Sequence, residues 1–154
     1  MYRLICALVL VLLISTPCLG QQSLVGTYKV VSIVPEVDGK PFQPMGKAPH
    51  GYLVLTPTHF IYCFTAEDRK FGTSLDAKAA LLDSMVAYAG SYRVEGDKYL
   101  QNIEVSFTES EKGKTRVTTF ERSGNRLTFS TGPIPFPRDL SKTMMSRQVW
   151  EKIE

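Results

Sequence analysis

The chain has 154 residues, 44% of them hydrophobic and 21% charged, with a formal net charge of +3. That length and apolar share suit a domain that buries its own core. So small a positive excess, spread evenly along the chain, excludes an electrostatic binder of nucleic acid or of an anionic membrane surface.

Residues 1–3 give a short basic start, 4–14 an unbroken apolar run, and 15–20 a close of small and polar residues. That order predicts a secretory signal peptide over 1–20, cleaved after Gly20. The run is too short to span a bilayer, which needs about 20 apolar residues. Ser15, Thr16 and Pro17 fit a lipidation box ahead of Cys18 poorly. The expectation is one secreted or periplasmic domain over 21–154, without stable membrane insertion once the signal is cleaved. Cys6 and Cys18 leave with the leader, so Cys63 has no partner for an internal disulfide. It sits inside the apolar run HFIYCF and is expected to be a buried, inert thiol.

From Leu24 onward, alternation of period 2 prevails. LVGTYKVVSIV reads as a strand, and PEVDGK closes it with an Asp38-Gly39 turn. The Pro/Gly-rich PFQPMGKAPHG is a loop. YLVLT and HFIYCFT form a hairpin around Pro57-Thr58, followed by the polar loop AEDRKFG. A helix is predicted over 75–89. Ser74 can cap it, Asp76 suits the positive end of its dipole, and Gly90 ends it. Leu81, Leu82, Met85 and Ala89 recur at helical spacing, so the helix would lay Leu81, Leu82 and Met85 across a barrel mouth as a plug or a mobile lid.

Strands resume with SYRVE and KYLQNIEVSFT around Gly96-Asp97, then TRVTTFER and NRLTFST around Ser123-Gly124. After the proline-studded GPIPFPRDLSK, MMSRQVWEKI is the closing strand. About eight short strands joined mostly by hairpins predict an all-β fold, an eight-stranded antiparallel up-and-down barrel with one short helix. Such a barrel is just wide enough for one small ligand.

The chemistry is sparse. His50 and His59 belong to no cluster with metal-ligand spacing, and neither a nucleophile elbow nor a phosphate-cradling loop occurs, so no metal and no cofactor is expected. Phe60, Tyr62, Phe64, Tyr92, Phe120 and Phe129 fall in predicted strands and are the candidate ligand-binding set, as apolar walls with phenol hydroxyls to orient a guest. Ordinary core packing is their competing role. Asn102 and Glu104 are weak catalytic candidates. They share a strand face with Ser106, opposite Ile103, Val105 and Phe107. If the apolar side faces inward, the favoured phase, Glu104 is solvated; if the polar side does, it becomes a desolvated general acid or base.

LVGTYKVVS, GYLVLTPTHF, VAYAGSYRVE, NRLTFST and QVWEKI, in this order and spacing, resemble the lipocalin-like domain family of bacteria and fungi, over nearly the whole chain from Leu24 to Ile153. The resemblance implies a calycin-type barrel with an internal cavity and says little of activity. This chain departs from the family pattern at three places. Tyr28 stands where a Trp usually follows Gly-Thr, and Gln101-Asn102 stand in place of a histidine pair. Thr118 replaces an arginine, with Arg116 two residues earlier on the same face. By the resemblance Tyr28 plugs the closed end of the barrel; Arg147, in the closing strand, is the expected cation–π partner over its ring. The functional expectation is an exported barrel that binds a small, largely hydrophobic molecule. The alternatives are a cofactor-independent isomerase or cyclase in the same cavity, and an interaction protein with a fully packed interior.

Overall fold

The computed structural model describes residues 24–136 and 139–154; the expected leader, with Cys6 and Cys18, lies outside them. The described strands are β1 (Gly26–Val37), β2 (Lys40–Pro41), β3 (His50–Leu55), β4 (His59–Thr65), β5 (Met85–Glu95), β6 (Lys98–Ser106), β7 (Thr115–Ser123), β8 (Arg126–Phe136) and β9 (Asp139–Lys152). Each pairs antiparallel with its neighbour in the ring, and β9 pairs with β1. The sheet is therefore a closed eight-stranded barrel, as expected. β2 stands outside the ring as a two-residue partner for the end of β1. The turn between them needs positive φ at both central residues, and Asp38 (50°) and Gly39 (73°) supply it.

Alternation decides what fills the barrel. On β3 and β4, Leu53, Leu55, Phe60, Tyr62 and Phe64 are buried, while Tyr52, Val54, Ile61 and Cys63 face out. Leu127, Trp150, Tyr28 and Tyr99 join them in one core cluster. Each fully buried large side chain contributes about 1.5–3 kcal/mol. This overturns the expectation of a buried Cys63. Once Phe60, Tyr62 and Phe64 take the inside, the pleat puts the thiol on the outer surface, between Tyr52 and Ala87.

Two bulges reset the alternation. In β1, Val31 is an extra residue between Val30 and Ser32, so the buried positions run Tyr28, Val30, then Ile33 and Pro35. In β6, Glu104 is the extra residue opposite the Ala89–Gly90 step. Ile103 is buried, but Val105 beyond the bulge is exposed, and Ser106 pairs with the buried Tyr88. No single phase of the pleat holds along the strand.

The helix is shorter than the sequence predicts. α1 runs Leu75–Asp83, with the Ser74 hydroxyl accepting from the Ala77 N–H. Met85 to Ala89, expected in the helix, belong instead to β5. Met85 pairs with Thr65 and the ladder continues to Ser91 opposite His59. Met and Ala are good helix formers, but propensity is a weak prior that tertiary pairing overrides, and without this pairing β4 would keep an unpaired edge and the barrel would not close. None of the helix residues is buried, and Leu75 and Leu82 are exposed. Leu81, Leu82 and Met85 thus form no plug or lid across the mouth.

The two ends of the barrel differ. Tight turns at 56–58, 96–97 and 124–125, with both described chain ends, gather at one end. Long connections at 38–49, 66–84 and 107–114 gather at the other.

Candidate functional site

Inside the barrel, Leu53, Tyr99, Phe129 and Trp150 form the apolar part of a small cavity of about 20 Å³. Gln101, Thr118, Thr131 and Gln148 add polar groups to its wall, and Tyr62 and Arg116 complete it. Each arrives by the pleat: Gln101 pairs with Arg116, and Tyr99 with Thr118, on β6 and β7. The two threonine hydroxyls, Thr118 and Thr131, lie 3.2 Å apart. The Tyr99 hydroxyl is buried and makes no hydrogen bond of full geometry with any described residue, although the Gln101 side chain is near enough to oppose slightly the rise of its pKa.

Arg116 organises the side nearest the long loops. Its Nη1 donates to the Tyr62 hydroxyl at 3.1 Å, and its Nη2 donates to Glu111 Oε2 at 2.7 Å. The guanidinium carbon stands 4.7 Å from the centroid of the Tyr88 ring. Tyr88 in turn meets Tyr62 and Phe107 edge-on, at 5.3 and 5.5 Å. Glu111 comes from a three-residue 3₁₀ turn, Glu109–Glu111, in the connection between β6 and β7. Its Oε1 accepts from Lys114 Nζ at 3.0 Å.

Burial pushes the Tyr62 and Tyr99 hydroxyls well above the ordinary phenol range, so both are neutral donors at physiological pH. Burial also works against the Arg116 charge, but the surrounding Tyr62, Tyr88 and Glu111 outweigh it and raise its pKa. At Glu111 burial favours the neutral acid. The hydrogen bonds from Lys114 and Arg116 overcome that and hold the carboxyl below its usual range.

A profile of the lipocalin-like domain matches residues 25–153. The chain belongs to the lipocalin-like domain family. A search of curated proteins finds no match. A lipocalin-like barrel is a ligand-holding architecture in general. No helix among the described residues is long and apolar enough to cross a membrane.

The structure distributes the six candidate aromatic residues of this lipocalin-like chain unevenly. Tyr62 and Phe129 line the cavity. Phe60 and Phe64 stack on either side of Tyr62, at 6.0 and 5.8 Å. Phe120 pairs with Phe129 and packs against the core margin. Tyr92 belongs to the turn-bearing end, where its hydroxyl donates to the Thr56 carbonyl at 2.7 Å.

Tyr28 is buried at the turn-bearing end, and its hydroxyl donates to the Leu24 carbonyl at 2.7 Å. Arg147 does not lie over it. Arg147 is exposed, opposite Val34 and Ser130, whereas Tyr28 pairs with Lys152. Burial raises the Tyr28 pKa, and the cation that opposes the shift is Arg122. Glu104 projects outward from its bulge and accepts from the Ser91 N–H at 3.1 Å and hydroxyl at 2.8 Å. Asn102 bridges its cross-strand neighbours, accepting from Thr115 at 3.0 Å and reaching Ser91 at 3.4 Å. His50 and His59 are both exposed.

Gln101, Glu111 and Gln148 were absent from the candidate set. Arg116 carried a signal: it is a cation near the start of an alternating strand, two residues before Thr118 on the same face. Glu111 carried none, because ESEKGK reads as a solvated turn.

Proposed function

We propose that this chain is an exported carrier that binds one small, largely apolar molecule inside the barrel, without transforming it. The observation that carries the reading is the Tyr99 hydroxyl, buried and unpartnered on the wall of a cavity that Gln101, Thr118, Thr131 and Gln148 also face. A native core seldom leaves such a donor unsatisfied, and convergent polar groups within apolar walls are what orient a guest. The space of about 20 Å³ holds roughly one water molecule. A larger guest enters from the end with the long loops, as the layer of Tyr62, Arg116 and Glu111 moves aside. That layer is held together by side chains, not by the sheet's ladder. The polar end of the guest then meets the cavity wall, and its apolar body lies against Tyr62, Phe64, Tyr88 and Phe107.

Binding is favoured over isomerase or cyclase chemistry because Glu104 lies on the outer face. The interior carboxylate, Glu111, is engaged by two cations. Native mass spectrometry of the purified protein tests the reading through a retained small molecule, and a thermal-shift panel of fatty acids, retinoids and polyphenols does so independently. The expected result is retention of one guest and a raised melting temperature for a subset of the panel. Equal melting temperatures across the panel, with no retained mass, would overturn it.

A further inference from the structure

We infer that the guest carries a carboxylate, and that Glu111 occupies its position on Arg116 until it arrives. The inference rests on the interior-binding reading above and deepens it. Arg116 is the one cation among the described residues lining the cavity. A guanidinium inside an aromatic-walled barrel is costly unless it is paired. Its partner is not on the barrel wall. Glu111 belongs to a short 3₁₀ turn in a long connection, at the end through which a guest would pass.

The carboxylate of Glu111 is divided between two cations. Oε2 meets Arg116 at 2.7 Å and Oε1 meets Lys114 at 3.0 Å. The Lys114 side chain is 60% exposed and that of Arg116 is 21% exposed. Glu111 can therefore swing outward and keep one salt bridge, so its departure does not strand it without a cation.

The place it leaves suits another carboxylate. Arg116 Nη2 becomes available beside the Tyr62 hydroxyl. That hydroxyl accepts from Arg116 Nη1 and has its own hydrogen to donate, which no described residue accepts. A guest carboxylate takes one bond from each. Exchanging one carboxylate for another leaves the charge inside the barrel unchanged, so Arg116 is never buried alone. An alcohol or ester of the same shape offers no such exchange, so Glu111 returns to Arg116 once it has passed.

Matched probes test this: decanoate against decanol, and cinnamate against cinnamyl alcohol, titrated calorimetrically into the wild type, Glu111→Gln and Arg116→Gln. The acids are expected to bind the wild type about tenfold tighter than the alcohols, the worth of a hydrogen bond to a charged group. Glu111→Gln should strengthen acid binding by a similar factor and leave alcohol binding unchanged. Arg116→Gln should remove the preference for acids and retain the alcohols. Should Arg116→Gln fail to fold, the Arg116 Nε–H resonance of the wild type decides, because it should move with decanoate and not with decanol. Equal affinity for acids and alcohols, unaltered in Glu111→Gln, overturns the carboxylate inference and leaves the interior carrier standing. Failure of all four probes with wild type and Glu111→Gln, with no retained mass, overturns both.

Discussion

Glu111 and Arg116 meet at 2.7 Å within the loop-bearing end of the barrel, yet one belongs to a turn and the other to the wall. Both side chains are mostly buried, at 13% and 21% exposure, so solvent screens this pair less than a surface pair. The native carboxyl of Glu111 sits below its ordinary value of 4.5. Below that value the unfolded chain takes up a proton that the native state resists, and stability falls with falling pH. The contribution is complete above about 4.5 and is lost as the pH drops through the lower native value. Tyr62, Tyr88 and Lys114 also face the pair, and burial holds the Tyr62 phenol neutral throughout. Urea midpoints between pH 7 and pH 3 should show the wild type losing more stability than Glu111→Gln. Parallel curves for the two proteins would rule the linkage out.

Gly90 sits at the β5–β6 bulge with no room for a side chain. An added Cβ would overlap the carbonyl oxygen of Asn102, a backbone atom that cannot swing away. Gly90→Ala is expected to cost about 3 kcal/mol, at the upper end for overpacking. Gly96, at φ 63° in the β5–β6 turn, has open space around its Cβ position. Gly96→Ala there meets only the left-handed backbone penalty of about 1–2 kcal/mol. Chemical denaturation of both variants checks the ordering, and Gly90→Ala being the milder of the two would contradict it.

The barrel was legible in the sequence because alternation survives on either side of the two bulges and because five blocks match the family in register. The end of the helix was not. Val86 and Tyr88 favour a strand while Met85 and Ala87 favour a helix, so the local signal is divided and the open edge of β4 decides it. The interior of the site was hidden for two further reasons. Each bulge inverts inside and outside, so the face carrying Glu104 could not be projected along β6 from one end. Glu111 reaches Arg116 only through the path of a loop, and spacing in the chain does not reveal that path.

The helix is expected to contribute little to stability. Leu75 and Leu82 are exposed, and no residue of α1 is buried. Leu75→Ala and Leu82→Ala should change the folding free energy by less than about 0.5 kcal/mol. Leu127→Ala, at a fully buried position, should cost about 2–5 kcal/mol. Thermal melts of the three variants separate a perched helix from a packed one, and a large loss in either helix variant would show that α1 is docked.

Cys63 faces solvent from the middle of β4, among Tyr52, Ile61 and Ala87. A thiol reagent should therefore modify Cys63 of the native protein without denaturant, and leave the circular dichroism spectrum unchanged. Cys63→Ser should be nearly neutral in stability, because a surface substitution away from the core moves it by about 0.5 kcal/mol or less. Protection of the thiol until urea is added would return it to the interior.

Tyr99 links the stability of the barrel to its proposed function. Its ring packs 4.9 Å from Phe129 and 5.0 Å from Tyr92, so the aromatic body belongs to the core, while its buried hydroxyl lacks a partner. Leaving such a donor unsatisfied costs about 1–3 kcal/mol. Tyr99→Phe keeps the ring and removes the hydroxyl, so the ligand-free protein should become more stable by about 1 kcal/mol. A guest that hydrogen-bonds to Tyr99 should bind the same variant several-fold more weakly, since about 1.4 kcal/mol corresponds to a factor of ten. Opposite signs in the two measurements are what a binding group predicts, because natural sites give up stability to hold polar groups ready. A hydroxyl that served only the fold would lower stability on removal and leave affinity unchanged.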